Sequence, residues 1–195
     1  MQKKKTPTAE KIILTTIDLI EEKGIQKVTT RNIAQRAKVN LASINYYFGS
    51  KEQLIKLALK RTLDEMNQMP AETLGREDLN PKEKLNAFLE AFMAGAIKWP
   101  GITKGHLYEP FMNNNYNTIF VRRFNNLINE VMEKIKDLKL KPPHSDLKLS
   151  IIQLISAVTI PGILPKLFKH FSNCDFTLQE KRKAYINDLI NHYFE

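Results

Sequence analysis

The sequence predicts an all-α protein of about nine helices. Apolar side chains recur at the spacing of a buried helical face, as at Ile13, Ile17 and Ile20. Ser, Thr or Asn precedes most of these segments, where such side chains cap the first N–H groups of a helix. No alternating apolar and polar run is bounded by turn residues, and only 7 glycines occur in 195 residues. These observations favour helices over sheet.

The composition is that of a globular protein, with 43% hydrophobic and 26% charged residues. No apolar run approaches the ~20 residues that a membrane span requires, so we expect no membrane partner. The N-terminal MQKKKTPTAEK lacks a following apolar region, which predicts a short basic arm and no signal peptide. The single Cys174 cannot form an internal disulfide. We therefore expect a cytoplasmic protein.

Positive charge is concentrated at the start of the chain. Residues 1–66 contain 13 Lys and Arg against 7 Asp and Glu, whereas residues 67–195 contain 17 against 14. This asymmetry is expected if the N-terminal part binds a polyanion. A generally basic protein of net charge +9 is the alternative.

Residues 28–54, VTTRNIAQRAKVNLASINYYFGSKEQL, contain three helix starts, at Thr29, Asn40 and Ser50. The middle helix, Leu41 to Tyr47, is only about two turns long and cannot be stable alone. The apolar side chains available to support it belong to the preceding helix and are Ile33, Ala34 and Ala37. Such a pair predicts a helix-turn-helix, which presents its second helix to the DNA major groove.

The rest of the chain also has the pattern of helices. One is expected from Lys51 to about Met66, and residues 67–79 are expected to connect two parts. Later helices are expected at about 81–97, 103–112, 117–138, 146–160 and 177–194, with Asn80, Ser145 and Thr177 as caps. Helix 146–160 is apolar around nearly its whole circumference, which predicts burial on all sides.

The segment from Val28 to Leu54 resembles the DNA-binding domain of the tetracycline-repressor (TetR) family of bacterial transcription regulators. The matching pieces are Thr29-Thr30-Arg31, Ile33-Ala34, Ala37-Lys38-Val39, Tyr47-Phe48 and Ser50-Lys51-Glu52. The resemblance covers roughly residues 8–60. It implies a helix-turn-helix DNA-binding domain in residues 1–50, connected by helix 51–66, and a helical ligand-binding and dimerisation domain in residues 51–195.

The same resemblance implies a dimeric regulator, usually a repressor, that binds palindromic double-stranded operator DNA and is released by a small-molecule effector. We expect the homodimer to form through helices 146–160 and 177–194, whose apolar surface exceeds what one core needs. The alternative for helix 146–160 is that it is only the central core helix.

Ten residues are expected at the DNA interface: Thr29, Thr30, Arg31, Leu41, Ala42, Ser43, Asn45, Tyr46, Tyr47 and Lys51. The threonines and Lys51 begin helices, where hydroxyl, N–H and ammonium groups suit phosphates. Arg31 can read guanine or hold a phosphate, and the small residues that begin the recognition helix suit close approach to bases. Asn45 suits adenine, although the resemblance places it nearer the DNA backbone. Thr29 and Ser50 can also act as caps alone. Lys38 is expected to be a solvated turn residue, with a phosphate contact as the alternative.

A ligand pocket is expected between helices 81–97, 103–112, 117–138 and 146–160. The side chains proposed for it are aromatic, sulfur-containing or polar: Phe88, Phe92, Trp99, His106, Tyr108, Phe111, Met112 and Phe124. Most aromatic residues at helical spacing are ordinary core residues, so each of these has that alternative.

Signals for catalysis or metal binding are weak. His106, His144, His170 and His192 have no partner at ligand spacing, and no phosphate-binding or dinucleotide-binding glycine motif occurs. We therefore expect neither an enzyme nor a metal site, and no cofactor. The alternatives to a DNA-binding regulator are an all-α enzyme and a membrane-surface protein that uses the N-terminal basic arm.

Overall fold

The computed structural model describes residues 6–195, apart from the side chain of Glu65. The all-α prediction is confirmed, because this part of the chain forms eleven α-helices and only an isolated bridge, Leu140 to Phe194, in place of a strand. The helices are α1 (Pro7–Lys23), α2 (Thr30–Ala37), α3 (Leu41–Phe48), α4 (Lys51–Met66), α5 (Met69–Thr73), α6 (Pro81–Lys98), α7 (Pro100–Asn113), α8 (Ile119–Ile135), α9 (Leu147–Ile163), α10 (Pro165–Ser172) and α11 (Gln179–Tyr193). The first five residues of the predicted basic arm lie outside the described residues.

The chain folds into two compact units. Unit 1 comprises residues 6–66 and 101–118, and unit 2 comprises residues 67–100 and 119–195. This division differs from the expected boundary at residue 50, because α4 packs against α1 and α3 and so belongs to the same unit as the predicted helix-turn-helix. The predicted connection, residues 67–79, contains the short helix α5 and belongs to unit 2.

Unit 1 is built around the buried face of α1. Thr6 caps this helix by accepting a hydrogen bond from the Ala9 N–H at 3.2 Å, and Gly24 ends it with a φ of 78°. The core residues that meet around this face come from α1, α2, α3 and α4: Ile12, Leu19, Ile20, Ile33, Ile44, Leu54 and Ala58. Such burial of apolar surface is the main stabilising contribution in a small helical unit.

Helix α7 returns to unit 1 and docks closely on α1. The Ile102 N–H donates to the Glu21 carboxylate at 2.9 Å. A Cβ added at Gly101 would lie 2.3 Å from the Glu21 carbonyl oxygen, and one at Gly105 would lie 3.2 Å from a Leu59 methyl. The two glycines therefore permit the close approach of this helix to α1 and α4.

Helix α6 is the central helix of unit 2 and packs against α5, α8, α9 and α11. Its capping box is formed as Asn80 accepts from the Glu83 N–H at 3.0 Å while the Glu83 carboxylate accepts from the Asn80 N–H at 2.9 Å. A largely buried ion pair joins α6 to α11, where Arg182 donates to Glu90 at 3.0 Å. The core contains fully buried residues from α6, α8, α9, α11 and the C-terminus, among them Phe88, Val131, Leu154, Ile186 and Phe194.

Two predicted caps are wrong. The N-cap of α9 is Asp146, one residue later than Ser145, and its carboxylate accepts from the Leu149 N–H at 3.0 Å. Thr177 does not cap α11, because its N–H and hydroxyl both donate to the Asp175 carboxylate, at 3.1 and 2.6 Å. A carboxylate two residues earlier is the stronger acceptor for that hydroxyl.

Within residues 6–195, no single helix is long and apolar enough to cross a membrane. Helices α9 and α10 meet that criterion only when taken together, and they are bent by 83° at their junction.

Candidate nucleic-acid interface

The α2–turn–α3 segment has separately capped helices, as predicted. The Thr29 hydroxyl oxygen accepts from the Asn32 N–H at 3.2 Å, while the Asn32 amide oxygen accepts from the Thr29 N–H at 2.9 Å. The Asn40 amide oxygen accepts from the Ala42 N–H at 2.8 Å and so starts α3. These bonds satisfy N–H groups that a helix start leaves without partners. The sequence pattern did not predict that Asn32 completes the cap of α2, although its three-residue spacing from Thr29 is that of a capping box.

The turn between α2 and α3 has left-handed backbone at Lys38, with φ 53° and ψ 49°. The Val39 N–H donates to the Ala34 carbonyl at 3.0 Å and closes the end of α2. Val39 itself is half-buried against the core of unit 1, whereas Lys38 is exposed. The turn is therefore anchored by the Val39 side chain and presents the Lys38 side chain to solvent.

Helix α3 has one buried face and one exposed face. Ile44 and Phe48 lie in the core of unit 1, which α1, α2 and α4 complete. On the other side, Leu41 is 47% exposed and Tyr46 is 67% exposed. A helix of two turns is thus held rigidly by its neighbours with its outer face uncovered, which is the arrangement that a recognition helix requires.

The ten predicted DNA-contacting residues all lie within this segment or at the start of α4, and none of them is fully buried. Thr29, Arg31, Leu41, Ala42, Asn45 and Tyr46 are exposed, and Thr30, Ser43, Tyr47 and Lys51 are partly exposed. The rings of Tyr46 and Tyr47 meet edge to face at 5.0 Å. These side chains are therefore accessible to solvent, and their contacts with DNA stay a prediction.

Helix α4 begins directly after α3. Gly49 forms the junction with a φ of 75°, and the Ser50 hydroxyl oxygen accepts from the Gln53 N–H at 3.1 Å. Lys51 is the first residue of α4. An ammonium group beside the N–H groups of a helix start favours an anion there, such as a phosphate.

The outer surface of α2 is braced against α1 by an ion pair. Arg36 donates to both carboxylate oxygens of Glu22, one of them at 2.6 Å. The hydrogen bond from Arg36 lowers the pKa of the Glu22 carboxyl below its ordinary value. Arg36 is therefore neutralised within the unit, whereas Arg31, at the other end of α2, is exposed at the predicted interface.

The eight predicted pocket residues are not brought together within either unit. Unit 2 contains Phe88, Phe92, Trp99 and Phe124, and unit 1 contains His106, Tyr108, Phe111 and Met112. Phe88 is completely buried in the unit 2 core, and His106 is buried in unit 1, whereas Phe111 is 73% exposed and Met112 is 64% exposed. Their role in ligand binding stays a prediction.

Three of the aromatic residues do form a continuous series in unit 2. The ring centroids of Phe88 and Phe92 are 6.0 Å apart, and those of Phe92 and Phe124 are 6.5 Å apart. A separate groove of about 670 Å³ opens between α6 and α11 and contains none of the predicted residues. Among the described side chains, no group of three or more His, Cys, Asp or Glu is placed to hold a metal ion.

Comparison with known proteins places these features in a family. Residues 12–58 match the model described as Bacterial regulatory proteins, tetR family. This N-terminal part of the chain is a TetR-family domain. The match covers α2, the turn and α3, with the helices that hold them, and it therefore coincides with the helix-turn-helix described above.

Curated relatives are similar over the N-terminal part. The HTH-type transcriptional regulator BetI of Paraburkholderia phytofirmans is 26% identical over 80 residues, which are 41% of this chain and 41% of that protein. The HTH-type transcriptional regulator PksA of Bacillus subtilis is 31% identical over 67 residues, 34% of this chain and 32% of that one. The chain thus spans less than half of the length of these curated relatives.

Structural likeness extends the TetR fold over nearly the whole chain. The crystal structure of a TetR-like transcriptional regulator from Rhodococcus sp. RHA1 has a TM-score of 0.70 and 18% sequence identity, and covers 95% of this chain and 96% of that one. The matched model describes bacterial regulatory proteins, and both of these curated relatives are named as transcriptional regulators.

Proposed function

We propose that this TetR-family protein is a cytoplasmic, dimeric transcription regulator, acting as a repressor, that binds palindromic operator DNA and is released by a small-molecule effector. The observation that carries the proposal is the division of α3, which buries Ile44 and Phe48 and leaves Leu41 and Tyr46 exposed. A dimer would present two such helices to half-sites about one helical turn apart.

The proposed contacts divide into two chemical classes. The first class offers hydroxyl, N–H or ammonium groups and comprises Thr29, Thr30, Tyr46, Tyr47 and Lys51. Such groups suit phosphates and set the position on the duplex of the helix-turn-helix of each protomer, here called its head. Because the Thr29 hydroxyl oxygen accepts the capping bond, its own proton is left to donate to a phosphate.

The second class reads sequence. Leu41 and Ala42 can contact thymine methyl groups, and Ser43 can hydrogen-bond either kind of base edge. Arg31 has the fork geometry for guanine, and the Asn45 amide has that for adenine. The exposure of these side chains along α3 and at the start of α2 supports the assignment.

For the dimer we propose a surface centred on α9 and continued by α10. Its exposed apolar residues follow one helical stripe on each helix: Leu149, Ile152 and Ile160 on α9, and Leu164, Leu167 and Phe171 at and along α10. Helix α11, the second helix of the prediction, buries Ile186 and Ile190 in its own core and exposes mainly polar residues. We therefore assign it a smaller part in the interface.

The effector is proposed to bind in unit 2, beside Phe92 and Phe124 of the aromatic series. Both side chains are only partly buried, unlike Phe88. An effector releases DNA only if it binds the DNA-incompetent dimer more tightly than the competent one.

The direct test is fluorescence anisotropy with the DNA that adjoins the protein's own coding sequence, compared with a scrambled duplex of equal length. We expect binding to the specific duplex at least 10³-fold tighter at physiological salt. Equal affinity for both duplexes at low and physiological salt would overturn the proposal.

The dimer is tested by Ile160→Glu, which places a charge in the proposed apolar surface. We expect a shift from dimer to monomer in analytical ultracentrifugation, with loss of operator affinity. Asn129→Glu on the exposed side of α8, outside the proposed surface, is the matched control and should leave the dimer intact. A dimer that persists in Ile160→Glu would contradict the proposed surface.

A further inference from the structure

Lys38 has a backbone conformation that its side chain does not favour. Three described residues other than glycine have positive φ, namely Lys38, Asn114 and Asn173. Asparagine visits the left-handed region readily, because its short polar side chain bonds locally to the backbone. Lysine has no such compensation, so a side chain is retained at Lys38 where glycine would be less strained.

The backbone role of this position does not require lysine. The Lys38 N–H donates to the carbonyl oxygens of Ala34 and Gln35, and the next N–H, of Val39, donates to Ala34. These bonds end α2, and glycine would form all of them. The hydrogen bonding of the turn therefore explains the left-handed backbone but not the presence of an ammonium group.

The side chain has no structural partner to explain it either. Lys38 is exposed, and it forms no ion pair with any of the described carboxylates. The nearest basic neighbour along the chain, Arg36, is instead held by Glu22. The positive charge of Lys38 is thus available to an external anion.

The place of Lys38 identifies that anion. The turn joins α2, which in a helix-turn-helix crosses the DNA backbone, to the start of α3, which enters the major groove. A cation between those two points would lie beside the DNA backbone, and the flexible, strongly charged lysine suits a phosphate better than a base edge. We infer that Lys38 is a phosphate contact, and that the strain in the turn is retained because it holds this ammonium group at the DNA backbone.

The inference rests on the proposed DNA binding, and the experiment separates the two. Operator binding is measured over a range of salt concentrations for wild type, Lys38→Gly, Lys38→Ala and Lys38→Arg, together with thermal unfolding. Lys60→Ala, an exposed lysine nine residues beyond the start of α4, is the matched loss of charge.

We expect DNA affinity to depend on the charge of the side chain at position 38, and thermal stability to depend on how well that residue accepts left-handed backbone. Lys38→Gly and Lys38→Ala should both bind more weakly, with the slope of log K against log salt reduced by about 0.9 for each head, whereas Lys38→Arg should keep the slope. Lys38→Gly should raise Tm by about 2–4 °C, and Lys38→Ala should not. Lys60→Ala should change neither quantity.

Two results would overturn the inference while leaving the proposed function intact. One is a Lys38→Gly protein that binds the operator with wild-type affinity and salt slope. The other is a Lys38→Gly protein with a lower Tm and unchanged DNA binding, which would mean that Lys38 stabilises the carbonyl end of α2. If wild type itself binds no specific duplex, the proposed function fails first, and this inference with it.

Discussion

The Nε2 atom of His106 lies 2.9 Å from the Thr62 hydroxyl oxygen, which joins α7 to α4 inside unit 1. The Thr62 hydroxyl donates its only proton to the Leu59 carbonyl at 2.8 Å. Nε2 must therefore carry a proton and donate it to Thr62. Burial lowers the pKa of the His106 imidazole from 6.5 to about 4, so the ring is neutral at pH 7.

This histidine predicts a pH dependence of stability. Between about pH 6.5 and 4 the unfolded chain binds a proton at His106 and the native state does not, so stability falls as the pH falls through this window. We expect a loss of about 2 kcal/mol from this group between pH 8 and 5, measured by urea unfolding. His106→Gln keeps an N–H donor for Thr62 and should remove that part of the loss. Exposed His170→Gln should not, and an unchanged pH profile in His106→Gln would contradict the prediction.

The close contact between α7 and α1 predicts opposite effects for two glycines. Gly101→Ala would place its Cβ 2.3 Å from the Glu21 carbonyl oxygen, whereas nothing lies within 4 Å of a Cβ at Gly95 in α6. We expect Gly101→Ala to destabilise by about 1–3 kcal/mol through overpacking, and Gly95→Ala to stabilise by about 0.5–1 kcal/mol through helix propensity. Chemical denaturation measures both, and equal effects of the two substitutions would rule out the contact.

The Arg182–Glu90 pair predicts a large loss on truncation. Its side chains are 11% and 15% exposed, and Arg182 also donates to the carbonyl oxygens of Phe176 and Thr177 at 3.0 Å. Arg182→Met leaves Glu90 buried without its partner, so we expect a loss of about 3–5 kcal/mol in urea unfolding. The double variant Arg182→Met with Glu90→Leu should recover part of that loss.

An exposed ion pair provides the control for this prediction. Lys136 and Glu133 are 61% and 69% exposed, and Lys136→Met should change stability by less than about 0.5 kcal/mol. If Arg182→Met cost no more than Lys136→Met, the buried pair would have no special role in unit 2.

At the proposed DNA interface, two substitutions should have different signatures. Lys51→Ala should weaken binding to all sequences alike and lower the salt slope by about 0.9 for each head. Ser43→Ala should alter sequence preference, by about 1–3 kcal/mol at the affected base pair, with little change in slope. Competition with a set of single-base operator variants measures both, and a uniform effect of Ser43→Ala would remove it from base recognition.

Local features of unit 1 could be predicted from the sequence because neighbours along the chain determine them. Thr29, Asn40 and Ser50 each bond to an N–H two or three residues ahead, so their spacing is sufficient evidence. The same reasoning fails at Thr177, where Asp175 competes for the hydroxyl. The left-handed backbone at Lys38 could not be inferred from a residue type that rarely adopts it.

Long-range packing could not be predicted in the same way. The segment 101–118 joins unit 1 through contacts such as Ile102 to Glu21, between residues about eighty positions apart. Helical periodicity indicates which face of α7 is apolar but not which unit covers it. For the same reason, the predicted pocket combined side chains that belong to different units, such as Phe92 and His106.

The return of α7 to unit 1 has a consequence for the choice of fragments in protein engineering. A fragment that ends at Met66 lacks the surface of α7 and would leave Ile20 and Leu59 without their cover. Residues 6–66 are therefore not expected to be stable as a separate fragment, even though the family match ends at residue 58. Chimaeras that exchange the rest of the chain should keep residues 101–118 together with residues 6–66, because these two stretches pack into one compact unit.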